Sequence, residues 1–263
     1  IFEFEDGQFL FKREEDKKSL ASPFALDHLF SDKLDLLRKI EKSVNRIKDF
    51  SKCENACATS DAYKLQSFIK ESLESKFSET KQLKIINTGT IGKYCSKWGK
   101  REMTYLKHKY LCPIVDKEKF LAAFKNSYGE KSLQKKIVIK GLNLLDACLD
   151  ENGSTIPGKT TLIIADQDVQ KLKLLLAILN SKLPIFYIKE RYPASSYNQG
   201  TTFTTDMINN FPVPKITEAI QKQLIDIVGL ILCTATTKDF WENGKKQAEI
   251  EDLQEKIDRQ RLK

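Results

Sequence analysis

Residues 168–214 read DVQKLKLLLAILNSKLPIFYIKERYPASSYNQGTTFTTDMINNFPVP, and this stretch largely decides the fold. Its first part predicts a helix over 168–182, deeply buried because leucine and isoleucine widen its apolar face. The aliphatic and aromatic run at 185–189 predicts a short strand. A polar and aromatic loop follows at 191–202. A packed helix–strand support that carries such a loop is suited to reading a surface with hydrogen-bonding side chains.

The remaining pattern predicts a mixed α/β (α+β) fold of short strands with helices at both ends. Further strands are expected at 83–87, 136–140 and 160–165, and the chain opens with a hairpin or linker over 1–30. Further helices are expected after Ser31, over 62–77, over 90–98, after Pro214 and over 242–263. We therefore divide the chain into an N-terminal hairpin and helix (1–50), a recognition domain (51–214) and a C-terminal helical segment (215–263).

Size and composition narrow the class of protein. The chain has 263 residues, 41% hydrophobic and 30% charged, which is typical of a globular protein with its own core. No apolar run is long enough to span a membrane, so no membrane partner is expected. The six cysteines are scattered, which favours free thiols and a cytoplasmic location. The sequence begins with Ile1 and shows no signal peptide, so we expect a piece of a longer polypeptide.

The positive charge of the chain is concentrated in one segment. Residues 81–140 hold fifteen Lys and Arg against four acids, which gives this segment a net charge of +11. The whole chain has a net charge of +8, so the remaining residues sum to −3. A focused basic segment attracts polyanions and speeds their association. This pattern favours nucleic acid as a partner over an ordinary solvated lysine face.

Residues 153–160, GSTIPGKT, fit the phosphate-loop pattern of nucleotide-binding enzymes. That pattern binds phosphate only when a strand precedes it and a helix follows, because the helix N-terminus supplies the N–H groups. Here turn residues precede it and the strand-like Thr161–Ala165 follows. We interpret the segment as the glycine-rich tip of a β-hairpin, and a nucleotide-binding enzyme stays a less favoured alternative.

Other catalytic and metal-binding patterns are absent from the sequence. Two histidines, His28 and His108, leave little room for a catalytic triad, and Cys53 and Cys57 have no second close cysteine pair for zinc. The sequence contains neither a glycine-rich cofactor loop nor the Asn-Pro-Pro-Tyr tetrapeptide of amino-methylating DNA enzymes. We expect no catalytic residue, metal or cofactor in this chain.

Two segments combine aromatic, basic and amide side chains, as surfaces that bind nucleic acid do. The residues predicted to bind the DNA backbone are Lys93, Tyr94, Lys97, Lys100, Arg101, Lys107, Lys109 and Lys140. The residues predicted to read bases are Arg191, Ser195, Tyr197, Asn198 and Gln199. An RNA-binding module, whose aromatic side chains stack on unpaired bases, is the alternative. A purely structural role in assembly through the charged terminal helix is a third.

Several short pieces occur in an order that is characteristic of one family. They are Thr59–Tyr63 (TSDAY), 84–91 (KIINTGTI), Lys93-Tyr94, Lys97-Trp98-Gly99, Tyr105-Leu106, Lys109-Tyr110, Pro113, Lys140-Gly141-Leu142, the 150–159 turn, 179–183 (LNSKL) and 211–214 (FPVP). With these pieces the chain resembles the C-terminal specificity (target-recognition) region of type IIG restriction–modification enzymes and Taq-type N6-adenine DNA methyltransferases.

The resemblance implies a function that the residues alone do not. It implies a target-recognition fold and sequence-specific binding of double-stranded DNA. It also implies an upstream methyltransferase domain in the same polypeptide that uses S-adenosylmethionine, with a possible Mg²⁺-dependent endonuclease. Methylation and cleavage would then belong to the parent enzyme, while this chain selects the site. Because the reading loops of the family vary with the target, the resemblance assigns no base contact to a position here.

Overall fold

A computed structural model describes residues 2–12, 14, 28–29, 31–195 and 200–260. The strands of these residues are β1 (Phe2–Glu5), β2 (Gln8–Phe11), β3 (Cys53–Asn55), β4 (Lys70–Glu71), β5 (Gln82–Ile86), β6 (Met103–Tyr105), β7 (His108–Tyr110), β8 (Pro113–Asp116), β9 (Lys136–Lys140), β10 (Ala147–Asp150), β11 (Thr155–Pro157) and β12 (Thr161–Ala165). The α-helices are α1 (Leu34–Glu41), α2 (Ile47–Phe50), α3 (Thr59–Gln66), α4 (Lys117–Ala123), α5 (Ser127–Ser132), α6 (Val169–Asn180), α7 (Lys182–Arg191), α8 (Thr205–Asn209), α9 (Glu218–Ala235) and α10 (Gly244–Gln260).

Two four-stranded sheets form the centre of the molecule. The first has the order β10-β9-β12-β3 and is antiparallel throughout. The second has the order β11-β5-β8-β4, in which only the β11–β5 pair is parallel. The strands predicted at 83–87, 136–140 and 160–165 are confirmed, and the fold class is the mixed one that the sequence predicts.

The first sheet is buried on both faces, which explains its uninterrupted apolar strands. In β9, Ile137 and Ile139 pack into the main apolar core, whereas Val138 between them packs into a smaller cluster. That smaller cluster also contains Ile86 of the second sheet. Alternate side chains of one strand therefore point toward the helices and toward the other sheet.

The main core lies between the first sheet and the C-terminal half of the chain. Helix α6 contributes most of its residues to it, as its leucine pattern predicts. Leu37 of α1, Val228 of α9 and Ile257 of α10 belong to the same core, so all three segments that we predicted from the sequence share it. The division into three parts stays a prediction. Helix α9 supplies the partner that the charged α10 needs.

Helix α7 corrects the strand predicted at 185–189. Its buried residues are Pro184, Tyr187, Ile188 and Arg191, which follow helical spacing. Proline is tolerated at this position because the first turn of a helix needs no N–H partner. The predicted loop over 191–202 therefore begins one residue later than expected, and Arg191 belongs to the helix.

Three predicted helices are shorter than expected or absent. The helix after Ser31 ends at Glu41, since Asn45 and Ile47 pair through their backbones with Val213 and Phe211. The helix predicted over 62–77 ends at Gln66. The helix predicted over 90–98 does not form and is replaced by a tight hairpin, which belongs to the candidate site.

The N-terminal hairpin is confirmed. β1 and β2 pair around Asp6 and Gly7, which both have positive φ as a two-residue hairpin turn requires. Among the described residues, no helix has the length and apolar character needed to cross a membrane.

Candidate nucleic-acid interface

Residues 90–101 form a basic turn rather than a helix. Ile91 bridges Ser96, the Gly92 N–H donates to the Cys95 carbonyl at 3.0 Å, and the Lys97 N–H donates to Thr90 at 2.7 Å. Lys93 and Tyr94 lie at the tip. In this turn Lys93 is exposed, whereas Ile91 and Tyr94 are buried.

Tyr94 was predicted to contact the DNA backbone, but its side chain is buried. Its φ is +67°, its N–H donates to the Ala147 carbonyl at 2.7 Å, and its side chain is 2% exposed. Its hydroxyl donates to the Gln254 side chain of α10. A phosphate therefore has no access to this ring, and Tyr94 anchors the basic turn to the core instead.

The lysines of the basic turn have partners within the chain. The Lys93 ammonium donates to the Asn180 carbonyl at 3.0 Å, and the Lys97 ammonium lies 5.5 Å from the centre of the Trp241 ring. Lys100 pairs with Glu242 at 3.3 Å. Lys93 is still exposed, and a cation–π contact leaves the charge of Lys97 uncompensated.

The other residues predicted to contact the DNA backbone differ in exposure and in ion pairing. Among the residues that the structure describes, Arg101 and Lys107 are exposed and make no ion pair. Lys109 pairs with Glu102 at 3.0 Å. Lys140 pairs with Asp146 at 3.6 Å and is largely buried. Arg101 and Lys107 are therefore the most available of the predicted phosphate contacts.

The predicted base-reading residues divide into two groups. Arg191 is 5% exposed, and its guanidinium donates to Glu41 at 2.9 Å and bonds to His28. The structure places it in the packing between α1 and α7 and not on an open loop. The Ser195 hydroxyl donates to the Tyr192 carbonyl at 2.7 Å. Tyr197, Asn198 and Gln199 lie outside the described residues.

The loop between β9 and β10, residues 141–146, connects the two predicted segments. The Asn143 N–H donates to the Thr201 carbonyl at 2.8 Å, which ties this loop to the end of the predicted reading loop. At its other end, Asp146 lines a cavity of about 530 Å³ together with Lys93 and Lys97. The basic turn and the predicted reading loop therefore adjoin the same short loop.

A row of threonines extends this surface on the other side. The Thr160 carbonyl accepts from the Gly141 N–H at 3.2 Å and from the Thr88 hydroxyl at 3.0 Å. Asn87, beside Thr88, donates to the Thr104 carbonyl of the β6–β7 hairpin, which carries Lys107. These contacts form one connected surface, 87–89, 104–109, 141–146 and 158–160, next to Ser195 and residues 200–203.

Residues 100–213 match the family model described as the TaqI-like C-terminal specificity domain. This matched region is therefore similar to a specificity domain over 114 residues of the chain. The match begins between β5 and β6, so the second sheet extends upstream of the matched region.

Two solved structures are similar to this chain, one with a TM-score of 0.50 and one with a lower score. The type IIL restriction–modification enzyme MmeI, solved in complex with DNA, matches with a TM-score of 0.50 and 11% identity over 82% of this chain. The type IIG restriction endonuclease BpuSI matches with a TM-score of 0.47 and 11% identity over 88% of it. The chain spans 33% of the length of each. The comparison with curated proteins gives no match.

The strand pairing explains why residues 153–160 fit the phosphate-loop pattern without binding phosphate. Residues 155–157 are strand β11, which pairs with β5 of the second sheet, and β12 of the first sheet follows Thr160. The segment therefore crosses from one sheet to the other, which corrects the hairpin interpretation. With a strand after Lys159, no helix N-terminus is available for phosphate.

Burial raises the thiol pKa of five cysteines, Cys53, Cys57, Cys95, Cys112 and Cys148, whereas Cys233 is exposed. Burial raises the pKa of Cys57 to about 11 and that of Cys95 to about 12. Among the described residues, no three metal-ligating side chains come together.

Sequence reasoning missed the contribution of the 141–146 loop. Lys140-Gly141-Leu142 marked the family resemblance, but no role was predicted for Asn143, Leu144 or Asp146. Asn143 has a φ of +71°, a conformation that asparagine tolerates better than most residues. Asn143, two residues after Gly141, was the one signal in the sequence for a turn with positive φ. The pairing of Asn143 with Thr201 could not be predicted, because it joins segments almost sixty residues apart.

Proposed function

We propose that this chain selects and binds a double-stranded DNA sequence on behalf of a restriction–modification enzyme and performs no chemistry itself. The match to a specificity domain carries this proposal. The surface geometry supports it, because the basic turn and the predicted reading loop meet on the 141–146 loop. A related enzyme, MmeI, is described in complex with DNA.

Within this proposal the cationic residues grip the duplex and the neighbouring loop reads it. Arg101, Lys107, Lys93 and Lys97 would contact phosphates, which fix the register of a protein on DNA without reading sequence. Lys100, Lys109 and Lys140 already have carboxylate partners and would contribute less. Asn198 and Gln199 would pair with base edges in the major groove, where an amide pairs bidentately with adenine.

The catalytic steps would belong to other parts of the polypeptide. We propose an upstream adenine methyltransferase domain that uses S-adenosylmethionine, with a possible Mg²⁺-dependent nuclease. The six cysteines are free thiols, as is typical of a reducing compartment, and we place this function in the cytoplasm.

The first experiment tests the grip. The double substitution Lys97→Ala/Arg101→Ala should weaken binding to every duplex and lower the slope of log affinity against log salt by about two, because two phosphate contacts are lost. The double substitution Lys39→Ala/Lys222→Ala removes the same charge from exposed positions of α1 and α9. Equal effects of the two double variants would contradict a localised grip.

The second experiment tests the readout. A pool of random duplexes, selected for binding to the chain, should yield one enriched sequence. Asn198→Ala should then cost about 1–3 kcal/mol on that sequence and almost nothing on a random duplex. A competing single-stranded RNA that displaces the selected duplex at equal concentration would instead favour the RNA-binding alternative.

A further inference from the structure

The 141–146 loop and residues 200–203 form one rigid unit. The Phe203 N–H donates to the Gly141 carbonyl at 2.9 Å, and Leu142 forms an isolated antiparallel bridge with Thr202. The Thr202 N–H also donates to the Ser195 carbonyl at 3.0 Å, which closes the base of the predicted reading loop. Residues 141–143 and residues 201–203 are therefore tied together through their backbones.

Two close contacts lie at the tip and at the base of the 141–146 loop. The Asn143 side chain reaches the backbone of Gly200, because a Cβ on Gly200 would lie 2.6 Å from the Asn143 side-chain oxygen and would displace it. The base of the 141–146 loop is closed by the Lys140 N–H, which donates to Asp146 at 2.9 Å. A rigid tip can hold a side chain in a groove without losing much conformational entropy.

Leu144 is the apolar side chain that this tip presents to solvent. It is 56% exposed, whereas the next residue, Leu145, is 4% exposed and anchors the loop in the core. Single exposed leucines are common on protein surfaces. The position of Leu144 is distinctive because it lies between Asp146, which adjoins Lys93 and Lys97, and Asn143, which adjoins Gly200.

We propose that Leu144 is a specificity-determining residue that contacts the 5-methyl group of a thymine in the major groove. This inference rests on the proposed function. The thymine methyl is the apolar group that the major groove exposes, and aliphatic side chains recognise it by contact alone. Leu144 would thus require a thymine at one position of the recognised sequence, next to the bases read by the neighbouring loop.

Uracil substitution provides a sharp test, because it removes only the methyl group. In the selected duplex, each thymine is replaced in turn by uracil, and affinity is measured for the unchanged chain, for Leu144→Ala and for Leu230→Ala. Leu230 is 58% exposed on α9 and serves as the matched control. One uracil should weaken binding of the unchanged chain and of Leu230→Ala roughly fourfold, the value of one buried methyl group.

Leu144→Ala should bind the thymine and uracil duplexes equally and keep an unchanged salt slope. Leu144→Met should restore part of the preference, because it restores the apolar contact. A methyl preference that persists in Leu144→Ala, or its absence from the unchanged chain, would overturn the inference while sequence-selective binding still stands. If the unchanged chain shows no sequence preference in the duplex selection, the proposed function fails and the inference falls with it.

Discussion

A buried ion pair within the first sheet also contacts the start of β11 in the second sheet. The Lys136 ammonium at the start of β9 lies 2.6 Å from the Asp150 carboxylate at the end of β10, and both side chains are almost fully buried. Burial lowers the pKa of Lys136, and Asp150 opposes that shift. Asp150 also accepts from the N–H groups of Ser154 and Thr155, which lead into the second sheet.

Removal of one partner of this pair should be costly. Asp150→Asn is expected to lower the free energy of unfolding by about 3–5 kcal/mol, because a buried ammonium would lose its counter-charge. Adding Lys136→Met should recover much of that loss, since no buried charge would remain. Urea unfolding of the single and double variants measures this. A double variant as unstable as the sum of both singles would contradict it.

Gly153 is required by its surroundings and not by phosphate binding. Its φ is +61°, and a Cβ there would lie 1.9 Å from the Leu133 carbonyl oxygen. Gly153→Ala should therefore destabilise the fold by more than about 1 kcal/mol. A Cβ added to Gly229 in α9 would meet no atom within 4 Å, so Gly229→Ala should stabilise the chain by about 0.5–1 kcal/mol. Thermal unfolding of both variants checks the opposite signs.

At the level of secondary structure, the sequence predicts elements with one clear period. Helix α6 and strands β5, β9 and β12 lie where they were expected, because their apolar residues follow a single pattern. Helix α7 was mistaken for a strand because two of its buried positions are Pro184 and Arg191. The burial of Arg191 depends on Glu41 and His28, which lie 150 and 163 residues away in the sequence.

Long-range backbone pairing explains the other errors. Asn45 and Ile47 bond to residues 211–213, which ends α1 early. The tip of the basic turn is held by Ala147 through Tyr94. Local sequence patterns carry no information on such partners, so neither interruption could be predicted. The same limit hid the 141–146 loop and its role in the candidate site.

Helix α10 should depend on its few apolar residues. Ile257 is fully buried in the main core, so Ile257→Ala should lower the free energy of unfolding by about 2–5 kcal/mol. Lys256→Ala, at the exposed neighbouring position, should change it by less than about 0.5 kcal/mol. Denaturant unfolding compares the two. Equal small effects would show that α10 does not pack on the core.

Across the whole molecule, the positive charge of residues 81–140 is only partly available to a ligand. Lys109, Lys131 and Lys140 of this segment have carboxylate partners, and so does the buried Lys136. The sequence gives the number of positive charges in this segment, but it does not show which of them form ion pairs. The exposed Arg101 and Lys107 are the clearest remainder.

The buried thiols make the fold sensitive to alkali. The pKa of Cys57 is raised from 9.0 to about 11 and that of Cys95 to about 12 by burial, so the unfolded chain loses these protons first. Their contribution to stability is complete below about pH 9 and is lost as the pH rises toward 12. Urea unfolding under reducing conditions should show a lower midpoint near pH 10.5 than near pH 8. Cys95→Ala should lessen this decline, and an unchanged midpoint would contradict it.

The ties between the 141–146 loop and residues 200–203 run from main chain to main chain. Such bonds do not depend on which side chains flank them, as long as the residues that donate are not proline. Side chains at the tip of the 141–146 loop can therefore be replaced while these backbone hydrogen bonds stay in place. A change of preferred target would then need few substitutions and little loss of stability.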